Sequence, residues 1–383
     1  MSSKPAPSPD LPFTMGIEEE YLVVDRRTRD LIREAPPDMM QKCGERLGEQ
    51  VTTELMQCQV EIGTRVCNTV QEGRDELIRL RRGVSDVVRE YGFEIIAAST
   101  HPFAQVMEIQ RTRKERYDSL TAQMQEVGRR LLISGMHVHV GLDGDEMRND
   151  FIGQVSYVLP HFLALSTSSP FWQGHDTGLK SYRLAVWDEL PRTGLPELYE
   201  SYGEYRRHVD VLVRCGVIRD STELWWDVRP SERFPTLEMR IPDLCTRVED
   251  AVCIAALYRC WLRLLYRLRR SNQRWRRYAR LLIEENRWRA HRFGMDEGLI
   301  DFGRGEVVPY PHLLDEIIEF IREDAEHFGC VDEVEHARTI VARGTSAHWQ
   351  LDTFHKAIVE GADDHEALKR VVDMLVEQTL VGC

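Results

Sequence analysis

The chain has 383 residues, 42% of them hydrophobic and 30% charged, with 50 Lys and Arg against 63 Asp and Glu for a formal charge of −13. That length and balance describe a folded chain with a sizeable core. The acidic surplus argues against wholesale binding to nucleic acid or to an anionic membrane, and no window approaches 18 uninterrupted apolar residues, which argues against a membrane span.

Residues 1–12, MSSKPAPSPDLP, are rich in Pro and Ser and lack an apolar core, so they read as a disordered lead-in and not as a targeting signal. Nine cysteines, an odd number without CxxC spacing, read as reduced thiols of a cytoplasmic protein. No internal repeat or linker divides the remainder, so residues 13–383 are expected to form one catalytic domain.

The stretch FTMGIEEEYLVVD, ending at Asp25, predicts a strand, although three glutamates stand where a buried strand should be apolar. A second strand surrounds QVEIGT near Glu61. Leu77, Leu80, Val84, Val87 and Val88 fit one face of a helix between Val70 and Tyr91. FEIIAAST predicts a strand, residues 111–130 a helix, and LLISGMHVHVG a strand. Phe151 to Ser166 is expected to be helical with Pro160 as a kink or break. Residues 168–196, rich in Gly, Pro, Ser and Trp, predict a long structured loop of the kind that usually carries function. Helical sequence around residues 200–215 precedes a short strand, PTLEMRIPD, and from Val248 onward the chain is mostly helical. Nine arginines from Arg259 to Arg280 are placed on one predicted helix, as a solvated face pairing with acidic surface.

Ionisable residues recur at alternating positions in these strands. Side chains at i and i+2 share a face, so Glu18 projects with Glu20, His137 with His139, and Glu238 with Arg240. Glu54 and Glu61 are seven apart, and an unbroken strand would put them on opposite faces; a bend or bulge is needed for both to reach one site. Each pair alone has an ordinary explanation, as a solvated carboxylate, a hydrogen-bonded core histidine or a cross-strand ion pair. Burying them together without a counter-ion is costly, and a divalent cation is the usual remedy. Carboxylate oxygens suit Mg²⁺, and an imidazole in the set extends the tolerance to Mn²⁺. Mg²⁺ on few carboxylates generally serves substrate phosphates, while neither GxxxxGK[ST] nor GxGxxG opening a helix is present.

The segments MGIEEEYLVVD, ELMQCQVEIGT, THP, Arg116-Tyr117, GMHVHVG, SSPFWQGHDTGLKSYR and VRPSERFPTLEMRIPD occur in that order. Together they resemble the bacterial YbdK-type carboxylate–amine ligases, the glutamate–cysteine ligase family 2. The resemblance runs from about Phe13 into the C-terminal helices and extends more distantly to glutamine synthetase. It implies an α+β fold in which an antiparallel sheet, flanked by helices, holds Mg²⁺ and ATP on its concave face. It assigns Glu18 and Glu20 to two neighbouring ions, with Glu54 and Glu61 on one and His137 and Glu238 on the other; His139 is a further neighbour. Arg240 is implied at the transferred phosphoryl group, and Arg116 and Arg183 at substrate carboxylates or nucleotide phosphates.

The reaction implied is ATP-dependent joining of a carboxylate, glutamate's, to an amine such as cysteine through an acyl phosphate, with ADP and phosphate released. Small-molecule substrates, a homodimer built on the apolar C-terminal helices, and no nucleic-acid or membrane partner complete the expectation. Lys180 stands where the family has a small residue, in a loop expected to shape the amine pocket. Two rivals differ in class. A metal-dependent amidohydrolase would need His161, His175 or His208 as further ligands beside the HVH pair. A non-catalytic nucleotide or amino-acid sensor would keep the fold without turnover.

Overall fold

Alternation in the IEEEYLVV run sets the geometry of everything around it. The computed structural model describes residues 11–383, except for the side chains of residues 116 and 118–121. In it, β1 (Met15–Asp25) buries Ile17, Glu19 and Tyr21 on one face and turns Glu18 and Glu20 to the other. Six further strands complete the sheet: β2 (Val51–Thr53), β3 (Gln59–Gly63), β4 (Phe93–Ile96), β5 (Met136–Gly141), β6 (Val228–Pro230) and β7 (Thr236–Met239). Their order is β6–β7–β5–β1–β3–β2, with β4 also paired to β1. Every pairing is antiparallel. One edge of β1 carries β3. The other carries β5 along Met15–Glu19 and β4 along Leu22–Asp25.

Apolar side chains of the sheet, including Val60, Ile62, Val138, Val140, Leu237 and Met239, are fully buried and belong to one core that runs from Phe13 to Leu375. The Val70–Arg89 helix covers part of that core. Thr69 caps it by accepting from the Glu72 amide at 3.1 Å, and Leu77, Leu80, Val84, Val87 and Val88 form its buried stripe, as their spacing predicts. Pro160 does break the helical stretch: one helix ends at Val155 and the next, Leu159–Ser166, starts with the proline in its first turn.

From Val248 onward, long helices dominate, interrupted by a two-stranded hairpin, Leu299–Asp301 with Glu306–Val308. Among the described residues no helix is long and apolar enough to cross a membrane.

Three expectations need correction. The segment 168–196 is not a continuous loop; it contains a hairpin of Phe171–Trp172 with His175–Asp176 and a short helix, Tyr182–Trp187. Residues 111–130 begin their helix only at Glu115, and Gln125 breaks it with a positive φ of 49°. The arginine run does not occupy one helix, because the Val248–Arg270 helix stops and a new one starts at Arg280. The run is solvated only in part: Arg269, Arg270, Arg274, Arg276 and Arg280 are exposed, and others enter the packing. Arg259 is buried and donates to the carbonyls of Asn68 (2.7 Å) and Pro12 (3.3 Å). Arg263 and Arg267 converge on the buried Asp324, at 2.7 and 2.9 Å, and Arg269 and Arg277 both reach Asp150. The counter-ions come from distant segments, which lets the cations enter the packing.

Candidate active site

In an antiparallel pair, residues directly opposite each other share a face. The register therefore writes three rows across one side of the sheet. Thr52, Glu61 and Glu20 stand opposite one another in the first, Gly63, Glu18 and His137 in the second, and His139, Glu238 and Arg229 in the third. Glu54 joins from the turn after β2. The chain folds back between β2 and β3, so the separation of seven from Glu61 spans a turn and needs no bulge. All of these but Gly63 line a cavity of about 410 Å³, together with Lys114, Tyr117, Arg183, Trp187, Trp225 and Arg240.

The cavity has two electrostatically different halves. In the first, Glu20 accepts from the Gly135 amide at 2.8 Å and Glu54 from the Tyr117 hydroxyl at 3.4 Å. Burial first, and the charge of Glu54 second, push the Glu20 carboxyl up to about 8, against the pull of Arg183. Burial and the neighbouring Glu54, Glu18 and Glu20 raise Glu61 well above the ordinary carboxylate range. Like charges in a low-dielectric site behave this way when positive charge is short.

In the second half, Glu18 meets two imidazoles, His137 Nδ1 at 3.1 Å and His139 Nε2 at 3.4 Å. Burial opposes the charge of Glu18, but hydrogen bonds from both histidines hold its carboxyl well below the usual range. His139 Nδ1 lies 2.9 Å from the Thr236 hydroxyl, which leaves its buried Nε2 facing Glu18. Donor atoms of Glu18, His139 and Glu238 all fall within 4.8 Å of one another. Glu238 is gripped by Arg229 (Nε to Oε2 2.9 Å) and by Arg240. Burial disfavours its charge, yet the two guanidinium groups overcome that and keep the carboxyl far below its ordinary value. Burial and Arg240 push His137 down to about 4, so its ring is neutral at pH 7.

Arg240 spends one arm on Glu238, approaches His137 Nδ1 at 3.5 Å and leaves a buried Nε without a partner. Arg183 is positioned differently. It is 3% exposed and donates to the carbonyls of Ile241 (3.2 Å) and Arg240 (3.1 Å), so it braces the backbone that presents Arg240. Gly135 makes room for it: a Cβ there would sit 2.6 Å from the Arg183 guanidinium. Arg116 lies in the Glu115–Arg129 helix, and its side chain is outside the described residues.

Lys180 does not line the cavity; it pairs with Asp296 at 3.2 Å. His161 is buried among Tyr157 and Tyr310, His175 is exposed on a hairpin, and His208 bonds its own helix at the Glu204 carbonyl. None of the three lines the cavity, so the ligand set of an amidohydrolase is not assembled. Two residues the sequence did not single out belong here. Arg229 and Thr236 orient Glu238 and His139 from the opposing strand and the strand start, and only the hairpin register reveals them.

The profile of glutamate–cysteine ligase family 2 matches residues 14–374. A protein of Rhodospirillum rubrum is 57% identical over 372 residues, covering 96% of each chain, and one of Jannaschia sp. is 50% identical over 365 residues, covering 95% of this chain and 96% of its own. Both carry the provisional name glutamate–cysteine ligase 2. Among solved structures, a glutamate–cysteine ligase of Francisella tularensis in complex with AMP superposes with a TM-score of 0.67 at 14% identity, over 96% of this chain and 89% of its own. A bifunctional glutathione synthetase of Pasteurella multocida gives 0.66 at 14% identity, over 96% of this chain and 52% of that one. The chain belongs to glutamate–cysteine ligase family 2, and with it to the ATP-dependent ligases that form C–N bonds.

Proposed function

We propose that residues 13–383 act as one catalytic unit that phosphorylates a carboxylate, glutamate's, with ATP and passes the acyl group to an amine such as cysteine. The observation that carries this reading is the meeting, in one cavity, of Glu20, Glu54 and Glu61 with an arginine, Arg240, that keeps an unspent buried donor. The oxygen-rich set fits Mg²⁺, and His139 Nε2, grouped with Glu18 and Glu238, fits a ligand that Mn²⁺ would also accept. Glu20, Glu54 and Glu61 would hold one ion, and Glu18 and Glu238 with His139 or His137 the other. Bound there, the ions would neutralise phosphate charge and orient the nucleotide.

The chain's own residues do the rest. Arg240 lies where charge on the transferred phosphoryl group grows and needs no reorganisation to meet it, since Glu238 and the Arg183-braced backbone already fix it. The substrate carboxylate attacks the γ-phosphorus, the bond to the ADP oxygen breaks, and an acyl phosphate forms. The amine then attacks the carbonyl carbon, phosphate departs and the amine loses a proton. Trp187 and Trp225, with Leu131 and Ile133, wall the cavity with apolar surface that limits water at this stage. Hydroxylamine tests the route: with ATP, Mg²⁺ and glutamate it should yield the hydroxamate, and its absence under turnover would refute the acyl phosphate.

A further inference from the structure

We propose that Glu19 and Arg81, an ion pair on the face of β1 turned away from the cavity, are a positioning couple that sets the placement of the strands bearing the metal-binding carboxylates; the inference rests on the metal reading given above. Both side chains are completely buried. Arg81 Nε meets Glu19 Oε2 at 2.9 Å, and its NH2 meets Oε1 at 2.6 Å. The same NH2 donates to the Cys245 carbonyl at 2.9 Å, while NH1 donates to the carbonyls of Thr246 (2.5 Å) and Thr379 (3.1 Å). A guanidinium has five N–H donors, and here each has an acceptor. Glu19 takes a third bond, from the Tyr21 hydroxyl at 2.5 Å.

Those acceptors lie on three separate segments. Glu19 sits on β1 between Glu18 and Glu20. Cys245 and Thr246 belong to the chain leaving β7, the strand of Glu238, and Thr379 ends the Asp364–Thr379 helix. A further pair of bonds brings in the end of β4: Ala97 donates to the Thr379 hydroxyl at 2.9 Å and accepts from the Thr246 hydroxyl at 2.6 Å. Apolar residues would fill this volume without the desolvation cost of two buried charges. They would supply no direction. The forked cation fixes the rotation of β1 against the exit of β7, and any slide or twist of β1 at Glu19 would carry the two flanking carboxylates with it. Lysine, a point charge without the fork, cannot make the same set of bonds.

The test is Mn²⁺ binding to the full-length protein without nucleotide, followed by electron paramagnetic resonance, with thermal unfolding on the same samples. Arg81→Lys should weaken Mn²⁺ binding by on the order of tenfold, the range expected when the support of a metal ligand is disturbed. Leu375→Ala, buried on the Asp364–Thr379 helix away from the cavity, lowers stability without touching the pair and should leave Mn²⁺ affinity within about twofold. Unchanged affinity in Arg81→Lys, or an equal loss in Leu375→Ala, overturns the proposal. Should Arg81→Lys not fold, Glu19→Gln is read in the same way, and failure of both to fold assigns the pair to folding alone and overturns it too. A native protein that binds no Mn²⁺ would instead refute the metal reading on which the proposal stands.

Discussion

Glu20 and Glu61 stand directly opposite each other across the β1–β3 pair, and the carboxyl of Glu20 rises to about 8 under burial and the nearby charge of Glu54. Like charges held this way are destabilising until a cation arrives. Glu61→Gln should therefore raise the melting temperature of the metal-free protein while lowering turnover by roughly 100-fold or more, the trade-off of a strained site. Calorimetry in chelator and a turnover assay in Mg²⁺ read the two effects separately. A variant that is both less stable and fully active would contradict the arrangement.

Arg240 supplies the second test. Arg240→Lys keeps a cation beside Glu238 and loses the fork. The expected result is a fall in kcat of about 10²–10³, the usual cost of removing one preorganised donor, with KM for the carboxylate changed far less. A rise in KM at constant kcat would place Arg240 in substrate binding instead.

Thr236 holds His139 Nδ1 at 2.9 Å, which leaves Nε2 aimed at Glu18. Thr236→Val preserves shape and removes that hold. Mn²⁺ affinity should fall by about tenfold, measured by titration calorimetry; unchanged affinity would leave His137 as the imidazole that matters.

His161 gives a pH prediction away from the site. Burial pushes its imidazole down to about 4, from the ordinary 6.5, and neither ring nitrogen has a hydrogen-bond partner. The unfolded chain takes up the proton first. The contribution is thus complete above about pH 6.5 and lost as pH falls towards 4, by about 3 kcal/mol at most. His161→Phe should flatten urea-midpoint curves over that window and leave stability at pH 7 equal or higher. A slope identical to that of the native protein would show the ring is not the titrating group.

Period-two alternation made Glu18 with Glu20 and His137 with His139 legible in the sequence, because a strand's faces depend only on counting. The cross-strand partners were not legible. Arg229 meets Glu238 only through the register of a hairpin whose turn spans residues 231–235, and no local pattern states that register. Glu54 and Glu61 called for a bend or a bulge, and the spacing alone could not say that the chain turns back between two strands there. The arginine run was legible only in part for a related reason: its charge was visible, but its acceptors, the buried Asp324, the part-buried Asp150 and the Asn68 carbonyl, come from distant segments. Lys180, expected in a loop that shapes the amine pocket, instead pairs with Asp296 and does not line the cavity.

The central claim is that this cavity couples ATP cleavage to amide formation. The most direct measurement is ADP release in Mg²⁺ with glutamate and a panel of amines, cysteine among them. The account predicts release that requires both the carboxylate and an amine, matches amide formed one for one, and disappears in Glu18→Gln and Glu238→Gln. Release that ignores the carboxylate, or turnover that persists in both variants, would contradict it.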